Sequence, residues 1–432
     1  MTISAIILIG CIVAVFIAMT RQVFGPEVGM PILALCALVI ADPIDSSHAV
    51  QSGFEEFGRI AIIFTAVAMA AHQLKDSNGL KSVGMVAGQI VGLASLKLAL
   101  PLRIGIPAIC LGMTWLLAAI FHNTTSILIT AEIAFLVCSE FNVKPAPVLN
   151  GCLVASNLGG FSTRWGDTPN LIEANVWGLQ ASDFIQILFI NLGTLILLIL
   201  FVSALLRTST LPQAEVNIVV QGFVRARKEL SINAGLIIGA GISLIVVIVP
   251  AIFYPTMEFR FVGVGMLLLC LVAKLFNSRD PHINPFNALG FETLSTLAAV
   301  FILAAVLAGD HLGITGMLTS WIKTTGGATW AILGISYIGT LFTEAASWAN
   351  TASTMVYSIA PSHRGAWALG AGVCAGSSSL ITAASAGILL MNQTARFPEP
   401  KDRVTFSSYL RFGITFSIIM LVYYTIVISY FV

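Results

Sequence analysis

The chain has 432 residues, 57% of them hydrophobic and 9% charged, with a mean hydropathy of +0.94 and a formal net charge of +1. This composition excludes a soluble globule, and a charge so close to neutral excludes a nucleic-acid partner. Apolar runs of about 17–25 residues recur throughout, enough to cross a hydrocarbon layer of ~30 Å, so the expected class is an all-α polytopic membrane protein.

In chain order, residues 3–19, 25–41 and 57–73 read as crossings. The first has no basic segment ahead of it and no small-residue cleavage site behind it, and so reads as a retained span. Leu80 to Leu98 is apolar but interrupted by Lys81, Gln89, Ser95 and Lys97, the pattern of a helix lying in the interface. Residues 104–140 then form two apolar arms around His122-Asn123-Thr124, which suits a re-entrant hairpin. An interrupted crossing, 145–178, and an unbroken one, 184–206, complete the first half. The polar stretch 207–233, with Pro212 and the run Arg225-Ala226-Arg227-Lys228-Glu229, reads as a cytoplasmic linker.

The same order returns in residues 234–432. Crossings at 234–254, 258–276 and 289–309 precede an interfacial piece, Leu312 to Thr324. A second hairpin over 329–360 surrounds Asn350, and an interrupted crossing, 364–394, is followed by 405–431. Residues 1–206 and 234–432 are thus two five-crossing halves, each with a re-entrant hairpin and a broken helix. An odd number of crossings inverts the second half relative to the first, an arrangement of many secondary transporters. The dipeptide Asn-Thr marks both expected tips, Asn123-Thr124 and Asn350-Thr351, 227 positions apart.

The positive-inside rule orients this layout. With both termini outside, the inner face receives Lys75, Lys81, Lys97, Arg103, Lys144, Arg207, Arg225, Arg227, Lys228 and Arg279 among others; the outer face receives only Arg59, Arg260, Lys323 and Arg364. Hairpin one then opens from the cytoplasm and hairpin two from outside, in a multi-pass protein of the cytoplasmic membrane. Asp310 and His311 are expected at the outer surface. All seven cysteines fall in apolar runs without a CxxC pair and read as packing residues.

The strongest motif is Asn157-Leu158-Gly159-Gly160-Phe161-Ser162-Thr163-Arg164-Trp165-Gly166-Asp167-Thr168-Pro169-Asn170. Its glycines and proline break a crossing helix, freeing carbonyls at one half-helix end and N–H groups at the other. Freed carbonyls with Asn, Ser and Thr oxygens suit a small hard cation, and freed N–H groups an anion. Asp167 is a candidate cation or proton ligand, and the planar Arg164 guanidinium a candidate clamp for an anionic substrate; alternatively the two neutralise one another. Glu132 and Glu344 on the hairpin arms, and His122 beside a tip, are further candidates for proton coupling.

This motif resembles the "GG-T-x-x-G-[TD]-P-P-N" signature of the ion transporter superfamily, and the Asn-Thr tips resemble its paired Ser-Asn-Thr tips. That superfamily includes divalent anion/sodium symporters, citrate-type transporters, arsenite permeases and sodium/proton antiporters. The resemblance implies that each tip faces a helix break. Thr125, Ser126, Asn157, Gly160, Ser162, Asp167 and Asn170 would then serve one coupling site, with Na+ or H+ as the coupling ion. Ser353, Ser377 and Ser378 would serve the other. Substrate would lie between the tips, near Asn123, Thr124, Arg164, Asn350, Thr351 and Thr382, and related symporters suggest a homodimer through scaffold helices. The chain departs from the pattern in lacking the leading serine at both tips, in carrying Arg164 and Asp167, and in having no Pro-Pro-Asn element in the second break, Gly376 to Gly387.

Metalloprotease, intramembrane aspartyl-protease and ATP-binding motifs are all missing from the sequence, so neither an enzyme nor a cofactor is expected. The expected function is secondary active transport of a small anion, a carboxylate or oxyanion, by Na+- or H+-coupled alternating access. Sodium/proton antiport centred on Asp167 and efflux of arsenite or another metalloid are the alternatives.

Overall fold

A computed structural model describes residues 3–41, 43–206, 212–253, 259–277, 291–309 and 312–431, and among these the regular secondary structure is entirely helical. Asp310, His311, Arg207 and Arg279 lie outside the described residues. The first half comprises α1 (Ile3–Thr20), α2 (Pro26–Ile40), α3 (Pro43–Asp76), α4 (Gly79–Leu98), α5 (Leu102–Phe121), α6 (Asn123–Glu140), α7 (Pro145–Phe161), α8 (Thr168–Trp177) and α9 (Phe184–Leu205). Helix α10 (Gln213–Glu229) follows. The second half comprises α11 (Ala234–Phe253), α12 (Phe259–Asn277), α13 (Phe291–Ala308), α14 (Ile314–Thr324), α15 (Thr329–Phe342), α16 (Ala345–Tyr357), α17 (His363–Ser377), α18 (Ser385–Ala395) and α19 (Phe406–Phe431).

By length and hydropathy, Ile3–Thr20, Gly79–Leu98, Leu102–Phe121, Phe184–Leu205 and Pro400–Phe431 can each cross a membrane, and Pro26–Ile40 and Thr329–Phe342 are shorter apolar helices. The chain is therefore an integral, multi-pass membrane protein. Helix α4, expected in the interface, is long and apolar enough to span; its lysines lie near its two ends, where long basic stems reach the headgroups. The outward faces have the character of a lipid-facing surface. On α9, Ile185, Phe189, Leu192, Ile196 and Leu200 are exposed while Ile187, Leu198 and Val202 are buried, a stripe that water would not tolerate.

The interior is built around α7 and α17, buried along nearly their whole lengths. Lipid gives no hydrophobic drive for helix association, so close approach relies on small residues. A Cβ on Gly159 of α7 would lie 2.1 Å from the Trp115 carbonyl oxygen of α5. One on Gly372 of α17 would lie 2.5 Å from the Leu333 carbonyl oxygen of α15. In both halves a central helix thus presses a glycine against the backbone of the helix that leads to the next break.

Two contacts cross between the halves reciprocally: α8 packs on α16, and α18 packs on α6. On the second of these, Phe135 stacks on Phe397 with ring centroids 4.0 Å apart, and Gln393 Nε2 donates to the Leu128 carbonyl at 3.0 Å.

Residues 213–229 of the expected linker form a regular amphipathic helix. Val216, Val220 and Phe223, spaced to share one face, are buried against α4. There Phe223 covers Gly88 and Val220 covers Gly92. The chain bends by 101° between α10 and the start of α11, so α10 lies across the line of the helix that follows.

Candidate functional site

The first junction begins where α5 stops. His122 takes φ 93° and ψ 147°, a left-handed backbone costly for a residue with a Cβ. That turn aims the start of α6 into the break between α7 and α8. The Asn123 N–H donates to the Gly166 carbonyl at 3.1 Å, and its Nδ2 donates to Asp167 Oδ2 at 2.9 Å. Gly160 makes this approach feasible: a Cβ there would lie 3.1–3.3 Å from Gly166 O, Asp167 Cβ and Asn123 Cβ. Asp167 also caps α8 by accepting from the Thr168 N–H at 2.9 Å. His122 Nε2 lies 3.9 Å from the other Asp167 oxygen, and its Nδ1 lies 3.0 Å from Thr124 Oγ1.

The break is stapled by its own side chains. Asn170 Nδ2 donates to the carbonyls of Gly160 and Thr163, and Thr163 Oγ1 donates to the Ala119 carbonyl of α5 at 2.8 Å. Ser162 donates to the Leu158 carbonyl at 2.6 Å, and Asn191 of α9 donates to Ser162 Oγ at 3.1 Å. Asn170 and Ser162 therefore hold the loop's shape. Arg164 is half-buried in the loop, with Nε unpartnered. Asp167 bonds Asn123 and Thr168 and forms no ion pair with Arg164, so the guanidinium charge is not consumed there.

The second junction is built alike but lies elsewhere than the dipeptide repeat suggests. The chain breaks at Thr343-Glu344, and Asn350 is the sixth residue of α16, exposed, with Thr351 donating to the Ser347 carbonyl inside its own helix. The expected tip at Asn350-Thr351 thus lies within α16, and the break between α15 and α16 falls instead at Thr343-Glu344. Here the Ala345 N–H donates to the Ala383 carbonyl at 3.2 Å, as Asn123 does to Gly166. Glu344 caps α16, accepting from the N–H groups of Ala346 at 2.8 Å and Ser347 at 3.4 Å. One junction carries its acid on the break and the other on the tip.

The two breaks touch: Asn157 Nδ2 of α7 donates to Ser378 Oγ just beyond α17 at 3.2 Å. Ser377, Ser378 and Thr382 are buried beside it, and Tyr409 of α19 donates to the Ser378 carbonyl at 2.7 Å. The hydroxyls of Ser126 and Ser353 donate to the carbonyls of Asn123 and Ala349 in their own helices. Buried Asn123 Oδ1, Asn157 Oδ1 and Thr125 Oγ1 have no hydrogen-bond partner. Neutral oxygens of this kind are ligands for a hard cation.

Two acids stand apart. Glu132 leaves the junctions, pairing with Lys75 Nζ at 2.6 Å on the wall of a small cavity of ≈ 60 Å³ open to solvent, with His72, Gln393 and Arg396. Glu173 on α8 is fully buried, and neither carboxyl oxygen has a partner. Sequence reasoning passed over Glu173; its signal is a single acid in a short apolar helix directly after the break.

Set against known proteins, residues 1–387 match a family model described as citrate transporter. The chain belongs to the citrate transporter family. Among its relatives, an uncharacterized transporter of Mycobacterium tuberculosis is 24% identical over 419 residues, 93% of each chain. A 46 kDa membrane protein of Mycobacterium leprae is 26% identical over 438 residues, 94% of this chain and 95% of its own. The magnetosome protein MamN of Magnetospirillum gryphiswaldense is 24% identical over 444 residues, 96% and 98% respectively. A member of the citrate transporter family is a secondary transporter and not an enzyme. Its substrate is accordingly a small molecule.

Proposed function

We propose that this chain carries a small carboxylate anion of the citrate type across the cytoplasmic membrane by ion-coupled alternating access, binding it where the two helix breaks meet. The observation that carries this reading is the repeated junction: Asn123 N–H to Gly166 O, and Ala345 N–H to Ala383 O, joined by Asn157 to Ser378. Broken helices meeting inside a bundle present N-terminal N–H groups to an anion and carbonyls to a cation. The unpaired guanidinium of Arg164 supplies positive charge beside the first break. On this reading the halves are an inverted repeat, the arms α5–α6 and α15–α16 are re-entrant hairpins, both termini face outside, and Na+ or H+ drives symport. A homodimer through the peripheral helices completes the proposal.

The test is uptake of radiolabelled citrate into proteoliposomes under an imposed Na+ or pH gradient. Uptake that follows one gradient and is abolished by Arg164→Ala supports the reading. Uptake of neither citrate nor another di- or tricarboxylate under either gradient rejects it.

A further inference from the structure

Three acids lie near the junctions, and their surroundings differ. Asp167 accepts hydrogen bonds from Asn123 and Thr168, and Glu344 accepts from Ala346 and Ser347; each caps a helix. Glu173 caps nothing, is fully buried, and has no donor on either oxygen. An ionised carboxylate so placed costs several kcal/mol unless a positive charge or proton accompanies it.

Opposite this carboxyl, α17 carries Gly370. A Cβ there would lie 2.7 Å from Glu173 Oε2 and 2.4 Å from the Phe161 ring, so the carboxyl occupies a notch that only glycine leaves open. The Phe161 ring crowds the same notch, and no hydrogen-bonding group partners either carboxyl oxygen; a hard cation needs several oxygen ligands. A proton needs none. Helix α8 packs on α16 and α17. The titratable groups these helices carry toward this region are Asp167 at the head of α8, Cys374 of α17, one turn beyond Gly370, and Glu344, which caps α16. None of these is a cation.

We propose that Glu173 is the carboxyl that binds and releases the coupling proton, in a site separate from the Asn123–Asp167 junction. The assignment rests on the transport reading for its role but not for its chemistry. Protonation gives a neutral acid that fits the dry notch; release requires α8 to move from Gly370 so that water or a basic group reaches the carboxyl. Because α8 is capped by Asp167, which Asn123 holds, movement at the Asn123–Asp167 junction is transmitted directly to the proton site.

The test is infrared difference spectroscopy of the purified full chain in liposomes across a pH titration, with no substrate present. The carbonyl stretch of a protonated carboxyl, slow to exchange with deuterium, should be present in wild type, lost in Glu173→Gln, shifted in Glu173→Asp and retained in Asp167→Asn. A band unchanged in both Glu173 variants overturns the proposal. In citrate uptake, Glu173→Gln should abolish the accompanying proton influx; wild-type influx in that variant also overturns it. Failure of the wild type to take up citrate would reject the transport reading, leaving the infrared result to decide Glu173.

Discussion

Asn157 and Ser378, 221 positions apart, share a hydrogen bond of 3.2 Å between buried side chains at the inner ends of the two central helices. Neither end is exposed to water, so this bond fixes how the two breaks are set against one another. Ser378→Ala leaves Asn157 Nδ2 buried without an acceptor, and should cost about 1–3 kcal/mol. Combined with Asn157→Ala, the loss should be smaller than the sum of the single losses by about 0.5–3 kcal/mol. Reversible unfolding of the detergent-solubilised protein measures this; strict additivity would mean that the two side chains do not interact.

Asn123 and Asn350 should not behave alike. Asn123→Ala removes the bond to Asp167 and should reduce citrate uptake at least about tenfold, the effect of about 1.4 kcal/mol. Asn350→Ala alters an exposed helical position and should leave uptake within a factor of two or so, since surface changes stay within about 0.5 kcal/mol. Equal impairment of both would return Asn350 to the binding site.

Glu344→Ala deletes the cap of α16 and leaves the buried Ala346 N–H and the part-buried Ser347 N–H without their acceptor. A loss of about 1–2 kcal/mol in stability is expected, most of it recovered in Glu344→Asp. A melting temperature unchanged in the alanine variant would show that the carboxylate does not serve as a cap.

Phe223→Ala empties the contact between α10 and Gly88 of α4. Losses of about 3–5 kcal/mol attend such truncations in a core, enough to undock a single amphipathic helix. Trypsin should then cut faster at Arg225, Arg227 and Lys228, and unaltered cleavage would show that the helix is held by something else.

The Lys75–Glu132 pair is a different case, being partly open to water. Its removal by Glu132→Gln should change stability by no more than about 1 kcal/mol. Lys75→Gln should change stability as little, and a loss well beyond that in either variant, measured by thermal unfolding, would mean that water does not screen the pair.

Much of the first junction is legible in the chain itself, because the glycines and the Asp-Thr-Pro-Asn run force a break wherever the backbone lies. The second is not, because its break is set by a glutamate cap and by tertiary contact, and neither leaves a dipeptide signature. The second Asn-Thr lies close enough to the true tip to mislead, yet it is an ordinary helical pair. Glu173 escaped notice because one acid in ten residues is unremarkable until its lack of partners is seen. Helix α10 was hidden for the opposite reason: its charges dominate the composition, while three apolar residues decide where it sits.

The exchange in which α8 lies on α16 and α18 lies on α6 constrains the order of assembly. When the ribosome has delivered the first half, α8 has been made but its partner has not, and Glu173 has no α17 to enclose it. The first half must wait in the bilayer with one face uncovered until residues more than a hundred positions later arrive. Maturation is therefore completed by the last helices, and the two halves, made as separate polypeptides cut between α9 and α10, should need one another in the same membrane to survive proteolysis.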